Sequence, residues 1–334
     1  MQCYLRTKQS TVKTPMIITV VVVTYNEERD IDACLTSLLN QSRKPNEIIV
    51  VDDGSSDNTV KKVTSYPVSV IRVRHTGRCE ARNIGWKNAK GDVICFAEAD
   101  SVFDKDWVFE IEKSFLCGAD TVTDRRRYFR PRSFLQKVID ADFIIRYQNY
   151  TPFSAWAFKK KVLQATQGYN KYLDQSEEKE LHKRVLSKGF KTIFAKKAVQ
   201  YHKGEPKNFF GFIKRVFDSE RKRASGYLIL FPDEVDYTKI ALFFLNVALF
   251  GISIYNSRYV FVFFIFVFLQ IVAYFLKIYF VEKGYLIIPL YQSIGLTMLR
   301  FLRTFTLVAG FIAGLLDRKG LRVKLLRAIK KTSN

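Results

Sequence analysis

The chain of 334 residues contains no CxxC pair, no GxGxxG, no GxxxxGK[ST] and no apolar run within its opening MQCYLRTKQSTVKTP. Without those glycine-rich loops a dinucleotide-binding Rossmann site and a P-loop are both disfavoured, because no such turn is there to wrap a pyrophosphate. The polar opening lacks the hydrophobic core of a signal peptide, so secretion is not expected. The five cysteines (Cys3, Cys34, Cys79, Cys95 and Cys117) are odd in number and all fall in the first half. A chain of this size needs no covalent staples, and reduced thiols in a cytosolic compartment are expected. Acidic residues are scarce against basic ones, 32 to 54, which leaves a formal net charge of +22. That excess excludes an acidic binding protein and points to a partner surface of phosphates, either nucleic acid or anionic lipid. No RRM, KH or helix-turn-helix signature accompanies the charge, so no nucleic-acid partner is expected. Apolar residues are abundant: 48% of the chain is hydrophobic, with 29 Phe and 17 Tyr, which excludes disorder.

The apolar residues are unevenly spread. Up to about Pro232 short apolar runs alternate with charged stretches, as in a soluble α/β domain, and after Asp236 the character changes. KIALFFLNVALFGISIY (Lys239–Tyr255) is followed by YVFVFFIFVFLQIVAYFLKIYFV (Tyr259–Val281), whose one charge, Lys277, lies near its end. A helix needs roughly 20 apolar residues to cross a hydrocarbon core. The second run meets that length and the first nearly does. Asn256-Ser257-Arg258 supplies a turn, so helices over about 239–256 and 259–281 are expected to form a membrane hairpin. A third stretch, Tyr285 to Leu316, carries Pro289, Arg300 and Arg303. The two arginines share a helical face and would be expensive at mid-bilayer. An interfacial or re-entrant segment over 285–316, with both arginines at headgroup phosphates, is therefore expected. Positive-inside logic puts the basic tail 317–334 and the front domain in the cytoplasm, in a multi-pass protein with two crossings, or four short ones.

The front part, 16–232 after an N-terminal extension 1–15, reads as an α/β unit. MIITVVVV is a β-branched run of the kind found in buried parallel strands. Asp30 to Asn40 places Ile31, Cys34, Leu35, Leu38 and Leu39 at helical spacing, and NEIIVVDDGSSDNT gives a second strand followed by capping residues. The alternation continues through VSVIRVR, a helix around Glu80 to Asn88, and DVICFAEAD. Such alternation implies a mostly parallel sheet whose ligands bind beyond the carboxyl ends of the strands. Polar residues gather at those ends: Tyr25-Asn26-Glu27, Asp52-Asp53 and Glu98-Ala99-Asp100.

VVVTYNEE, VVDDGSSDNT, the segment Gly77 to Gly85 and FAEAD, in this order, resemble family 2 glycosyltransferases of the GT-A fold over roughly residues 16 to 225. The resemblance implies a membrane-anchored, inverting transferase that takes a sugar from a UDP- or GDP-sugar donor and passes it to a lipid-linked acceptor. It also implies that Thr24, Tyr25, Glu27, Asp52 and Asp53 line the nucleotide pocket, with Arg78 and Arg82 toward the diphosphate. A divalent metal, Mg or Mn, would offset the leaving-group charge. Glu98 and Asp100 form an ExD triplet in place of the family's DxD, and alternation along an extended segment would turn both to one side. Asp100 is the safer ligand, and His202 in AVQYH stands where relatives carry a histidine near the metal. Within SEEKEL, Glu178 aligns with the family's catalytic carboxylate, with Glu for the commoner Asp. It would remove the proton of an acceptor hydroxyl. Trp156 would suit stacking on a sugar face, and Arg125, Arg126 and Arg127 an acceptor or lipid phosphate. A polyprenyl-phosphate mannose or glucose synthase is the alternative, although the usual acceptor-loop pattern is absent. A processive polysaccharide synthase is disfavoured by the missing QxxRW.

Overall fold

Alternate residues of β1 (Ile18–Thr24) point to opposite sides, and both sides are covered. Ile18, Val20 and Val22 enter one hydrophobic cluster while Val21 enters another. The same division holds in β2 (Glu47–Asp52), with Ile48 and Val50 against Ile49 and Val51, and in β4 (Val93–Glu98), with Val93 and Cys95 against Ile94 and Phe96. A continuous apolar run in these strands therefore reflects helices on both faces. The first face is covered by α1 (Ile31–Leu39) and α4 (Trp107–Leu116). The second is covered by α3 (Arg78–Asn88), α6 (Lys160–Thr166) and α7 (Glu177–Ser187). The short α2 (Thr59–Val63) follows β2.

The computed structural model describes residues 16–149, 156–173, 175–204, 206, 208–230, 237–282 and 289–316. The expected extension 1–15, the tail 317–334 and the boundary at Pro232 lie outside them. With β3 (Ser69–Arg72), β5 (Ser101–Phe103), β6 (Thr121–Tyr128), β7 (Ala157–Lys159) and β8 (Thr192–His202), the eight strands are ordered β3-β2-β1-β4-β7-β6-β8-β5. The β3-β2-β1-β4 half is parallel, as expected, whereas β7 pairs antiparallel with β4 and β6, and β5 antiparallel with β8. Cys34, Cys79 and Cys95 are free and enclosed. Cys117 is half-buried at the end of α4 and disulfide-bonded, which corrects the expectation of reduced thiols throughout.

The chain divides into two units, one of Met1–Phe129 with Tyr150–Gly204 and one of Arg130–Asn149 with Glu205–Asn334. Residues 130–149 and 205–230, which the sequence assigns to the front domain, thus group with the apolar helices. The second unit holds α5 (Phe134–Asn149), α8 (Phe209–Leu230), α9 (Tyr237–Tyr255), α10 (Val260–Leu276) and α11 (Leu290–Leu316). Asn256 accepts a hydrogen bond from the Arg258 N–H at 3.1 Å and closes the α9–α10 turn. Three segments, Thr238–Tyr255, Ser257–Leu276 and Leu290–Ala313, are long and apolar enough to cross a membrane.

The described part of the third stretch departs from expectation. α11 is one unbroken helix over Leu290–Leu316, where an interfacial or re-entrant segment was expected. Its arginines meet protein: Arg300 lies 2.7 Å from Asp142 of α5, and Arg303 3.6 Å from the same carboxylate. Glycines let α11 pack closely on its neighbours. A Cβ at Gly295 would fall 2.5 Å from the Phe134 ring, and one at Gly310 2.6 Å from the Phe217 carbonyl. Accordingly 39% of Leu290–Ala313 is buried, against none of Ser257–Leu276.

The loop after α6 depends on one glycine. Gly168 has φ +67°, and a Cβ there would sit 2.4 Å from Asn83 Oδ1 and 2.6 Å from Trp86 Nε1. Asn83 clamps the next residue, accepting from the Tyr169 N–H and donating to the Tyr169 carbonyl, each at 2.8 Å. Gly168→Ala is expected to destabilise the chain by about 3 kcal/mol through backbone strain and loss of that clamp. Denaturant melts of the full chain in detergent measure this, and a shift below about 1 kcal/mol would contradict the clamp.

Candidate active site

The parallel strands end together, and their last residues are polar. Thr24 pairs in register with Asp52, and Thr24, Asp52 and Asp53 are all at least 97% enclosed. The Ser55 N–H donates to the Asp52 carboxylate at 3.2 Å, with Arg72 Nε 3.6 Å away. Asp53 is committed to the loop before α3: it accepts from the Thr76 N–H at 2.6 Å and the Gly77 N–H at 3.0 Å. Gly77 takes φ +90° and opens α3, so Asp53 fixes where Arg78 begins. Tyr25 is exposed, and its ring lies 4.3 Å from the His75 ring. The Glu27 carbonyl accepts from the Asp30 and Ile31 N–H groups, which starts α1. Burial, together with the charges of Asp100 and Asp30, pushes the Glu27 carboxyl up to about 7.

Strand pairing brings a histidine to the acidic triplet. His202, the last residue of β8, stands opposite Ser101 of β5 and Tyr128 of β6. Its Nε2 lies 3.1 Å from Asp100 Oδ2 and 3.3 Å from Glu98 Oε2. The expected geometry differs in one respect: Glu98 ends β4 but Asp100 sits in the turn to β5, so a turn, not extended alternation, brings the carboxylates together. One ligand atom from each of Glu98, Asp100 and His202 falls within 4.8 Å of the others, a group able to hold a metal ion. Gly204 leaves the space beside it open, since a Cβ there would fall 2.2 Å from Asp100 Oδ2. The donor set of two carboxylates and an imidazole fits a divalent cation. Burial alone would raise the Glu98 carboxyl, but Arg126, His202 and Arg82 outweigh it and hold the group well below the usual carboxylate range.

Arg82 of α3 joins this cluster to α7. It is 4% exposed and lies 3.2 Å from Glu177, 3.4 Å from Glu178 and 3.6 Å from Glu98, between the rings of Trp156 and Tyr169 at 5.3 and 5.0 Å. Arg78 grips Glu177 with two nitrogens, at 2.7 and 3.0 Å. Glu177 is fully enclosed. Burial and the Glu178 charge push its carboxyl up to about 7, against the pull of Arg82 and Arg78. The sequence reading missed this residue. Its signal was the spacing Glu177, Leu181, Val185, which puts Glu177 on the buried face of α7. Arg184 anchors that helix through Glu180 at 2.6 Å and the Gly168 carbonyl at 2.9 Å.

Other expected contacts fall elsewhere. Trp156 is 5% exposed with Arg82 over its ring, so that face supports a guanidinium and is not open for a sugar. Arg126 turns inward to Glu98 at 3.2 Å and is engaged there instead of at a lipid phosphate. Arg125 and Arg127, two apart on β6, share the opposite side. Burial and the like charge of Arg127 pull Arg125 below its ordinary range.

A mixed sheet with a carboxylate–imidazole cluster and a buried arginine beyond the ends of its parallel strands has the form of a GT-A type core. Residues 19–171 match the profile of Glycosyl transferase family 2, and this part of the chain is a family 2 glycosyltransferase domain. An uncharacterized glycosyltransferase of Haemophilus influenzae is 36% identical over 89 residues, covering 26% of this chain and 30% of that protein. The Escherichia coli protein WfgD, named UDP-Glc:alpha-D-GlcNAc-diphosphoundecaprenol beta-1,3-glucosyltransferase, is 34% identical over 91 residues, 26% of this chain and 36% of its own. The chain thus spans about a third of the length of these relatives. Among solved structures, the mannosyltransferase PcManGT from Pyrobaculum calidifontis, in complex with GDP-Man and Mn2+, is similar with a TM-score of 0.62. The identity is 18%, over 95% of this chain and 93% of that one, a likeness of fold.

The Glu27 carboxyl carries a testable sign. Its folded-state value of about 7 exceeds the ordinary 4.5, so ionising it opposes folding: the penalty is absent below about 4.5 and complete above about 7. Glu27→Gln should therefore raise the melting temperature of the full chain in chelator at pH 8 and lose that gain toward pH 5. An equal shift at both pH values would show that Glu27 titrates normally.

Proposed function

We propose that the chain is a membrane-anchored, inverting glycosyltransferase that moves a sugar from a UDP- or GDP-sugar to a hydroxyl of a lipid-linked acceptor. One observation carries this reading: Arg82 touches both Glu98 of the candidate metal cluster and Glu178, the candidate base. A site for a diphosphate leaving group and a site for proton removal are thereby held by a single side chain. Thr24, Tyr25 and Asp52 would receive the base and ribose, and the Asp53-held loop would carry Arg78 toward the diphosphate. A divalent cation at Asp100, His202 and Glu98 supplies charge neutralisation for that leaving group. The imidazole in the donor set favours Mn2+ over Mg2+.

Glu178 is half-buried and bonded to Arg82 through one oxygen, and its other oxygen makes no hydrogen bond among the described residues. That oxygen is available to take a proton from an acceptor hydroxyl. Glu177 is enclosed by Arg78 and Arg82 and offers no second carboxylate nucleophile. A single displacement with inversion follows. The exposed apolar surfaces of α9 and α10 support the anchor, with the catalytic unit on the cytoplasmic side as the basic composition implies. The diphosphoundecaprenol in the WfgD name supports a lipid-linked acceptor.

A polyprenyl phosphate acceptor is the second reading. It is favoured by Arg125, which is half-buried beside Arg127 and has no ion pair among the described residues. Glu178→Gln separates the two. With a hydroxyl acceptor, transfer should fall about 10²–10⁴-fold while donor affinity stays near that of the parent. A rate that stays within a few-fold would hand the acceptor to the phosphate reading. For the metal, Asp100→Asn should abolish the Mn2+-dependent melting shift produced by UDP- or GDP-sugars. Full transfer by the parent in EDTA would sink the metal assignment.

A further inference from the structure

The polarity of α11 is reversed for a helix in water. At about 100° per residue, Tyr291, Ile294, Met298 and Leu302 form a stripe about 80° wide, and all four are exposed. Ser293, Thr297, Arg300 and Thr304 gather on the far side, within about 60° of one another. The three hydroxyl residues among them are buried. Thr297 Oγ1 donates to the Ser293 carbonyl at 2.8 Å, and Thr304 Oγ1 meets the Tyr274 hydroxyl of α10 at 2.8 Å. Arg303, between the two sides, turns with Arg300 to Asp142. Charges and hydroxyls thus point into protein while apolar side chains point out. An amphipathic helix surrounded by water packs the other way round.

The two ends of the stripe tell what covers it. Toward its C-terminal end α11 meets the apolar hairpin: the Phe305 ring lies 6.0 Å from Phe243 of α9, and the Phe301 ring 6.3 Å from Tyr274 of α10. α10 is itself uncovered along its length. At the other end Tyr291 pairs with Phe134 of α5, ring centroids 6.3 Å apart, and both rings are exposed. Arg132 and Lys137, on either side of Phe134 in the chain, are exposed as well. Exposed aromatic rings beside cations suit the headgroup level of a bilayer. An aliphatic track leading from them to a bare apolar hairpin suits hydrocarbon. A protein partner would match an isolated patch, whereas this one is continuous with the hairpin.

We propose that the outer face of α11 is a lipid-contact surface, with Tyr291 and Phe134 at headgroup level and Ile294, Met298 and Leu302 in the hydrocarbon. This rests on the membrane-anchored reading above and extends it beyond the hairpin. α5, which interrupts the catalytic unit in sequence, then belongs at the membrane and covers the charged side of α11 there. The catalytic unit is joined to the membrane unit before and after α5 as well as after β8.

The test adds one tryptophan at a time to the full chain in phosphatidylcholine nanodiscs. The three native tryptophans are enclosed in the catalytic unit, so the added ring carries the signal. Met298→Trp and Leu302→Trp should lose roughly half of the added emission to lipid brominated along its chains and resist aqueous iodide. Tyr291→Trp should be quenched best by bromine placed near the glycerol, and a depth equal to that of Leu302→Trp would overturn the placement of the aromatic end. Lys197→Trp, at an exposed position of β8, should respond to iodide alone. Phe264→Trp on α10 reports on the anchor separately. If it is quenched by brominated lipid and the α11 variants are not, this inference fails and the anchor stands; if none is quenched, both fail. Carbene labelling of the unaltered chain by an apolar diazirine in the bilayer reads the same face without substitution. Adducts on Ile294, Met298 and Leu302 would support the surface, and adducts confined to α9 and α10 would overturn it.

Discussion

A guanidinium enclosed by protein has to be met by negative charge from every direction it can reach, because water is no longer there to do it. Arg82 imposes that condition on the catalytic unit. It draws Glu177 and Glu178 from α7 and Glu98 from β4, and two aromatic faces, Trp156 and Tyr169, close around it. Much of the local architecture serves this demand. The αL turn at Gly168 and the Asn83 clamp set Tyr169, and Arg184 pins α7 to the same loop. Strand and helix ends that lie far apart in the chain are thereby fixed to one point.

The same network sorts the carboxylates into roles. Glu98 is offset by Arg126, His202 and Arg82, and stays ionised. Glu177 is buried to the point that ionisation is opposed. Glu27, half-buried near Asp100 and Asp30, is pushed up to about 7. Binding a divalent ion beside Asp100 would favour the charged form of Glu27 through the same proximity that now disfavours it. Carboxylates alike in sequence thus differ in what they can do because their surroundings differ.

In the helical unit the corresponding constraint is Asp142. A helix as apolar as α11 could lie in lipid but for Arg300 and Arg303, and one carboxylate from α5 accommodates the first of them well and the second badly. Close glycine contacts at positions 295 and 310 let α5 and α8 cover the face that bears the charge. α10, with no charge before Lys277, needs no such cover and has none.

The strands β1, β2 and β4, the polar residues at their ends and the hairpin of α9 and α10 were all legible in the sequence. Each is written in a local period: buried strands as unbroken β-branched runs, and apolar helices as long runs without charge. The family likeness was legible for a similar reason, since its motifs are short and contiguous. Contacts between distant segments were not. Glu177 pairs with Arg78 and Arg82 from 95 or more residues away, Trp156 lies under a guanidinium instead of under a sugar, and Arg126 is spent on Glu98. A run of like charges in sequence says nothing about which member turns inward, because strand alternation and the nearest buried counter-charge decide it. The arginines of α11 show the same limit. Composition determined that they need anions, and only the packing of α5 against α11 decided which one Asp142 would satisfy.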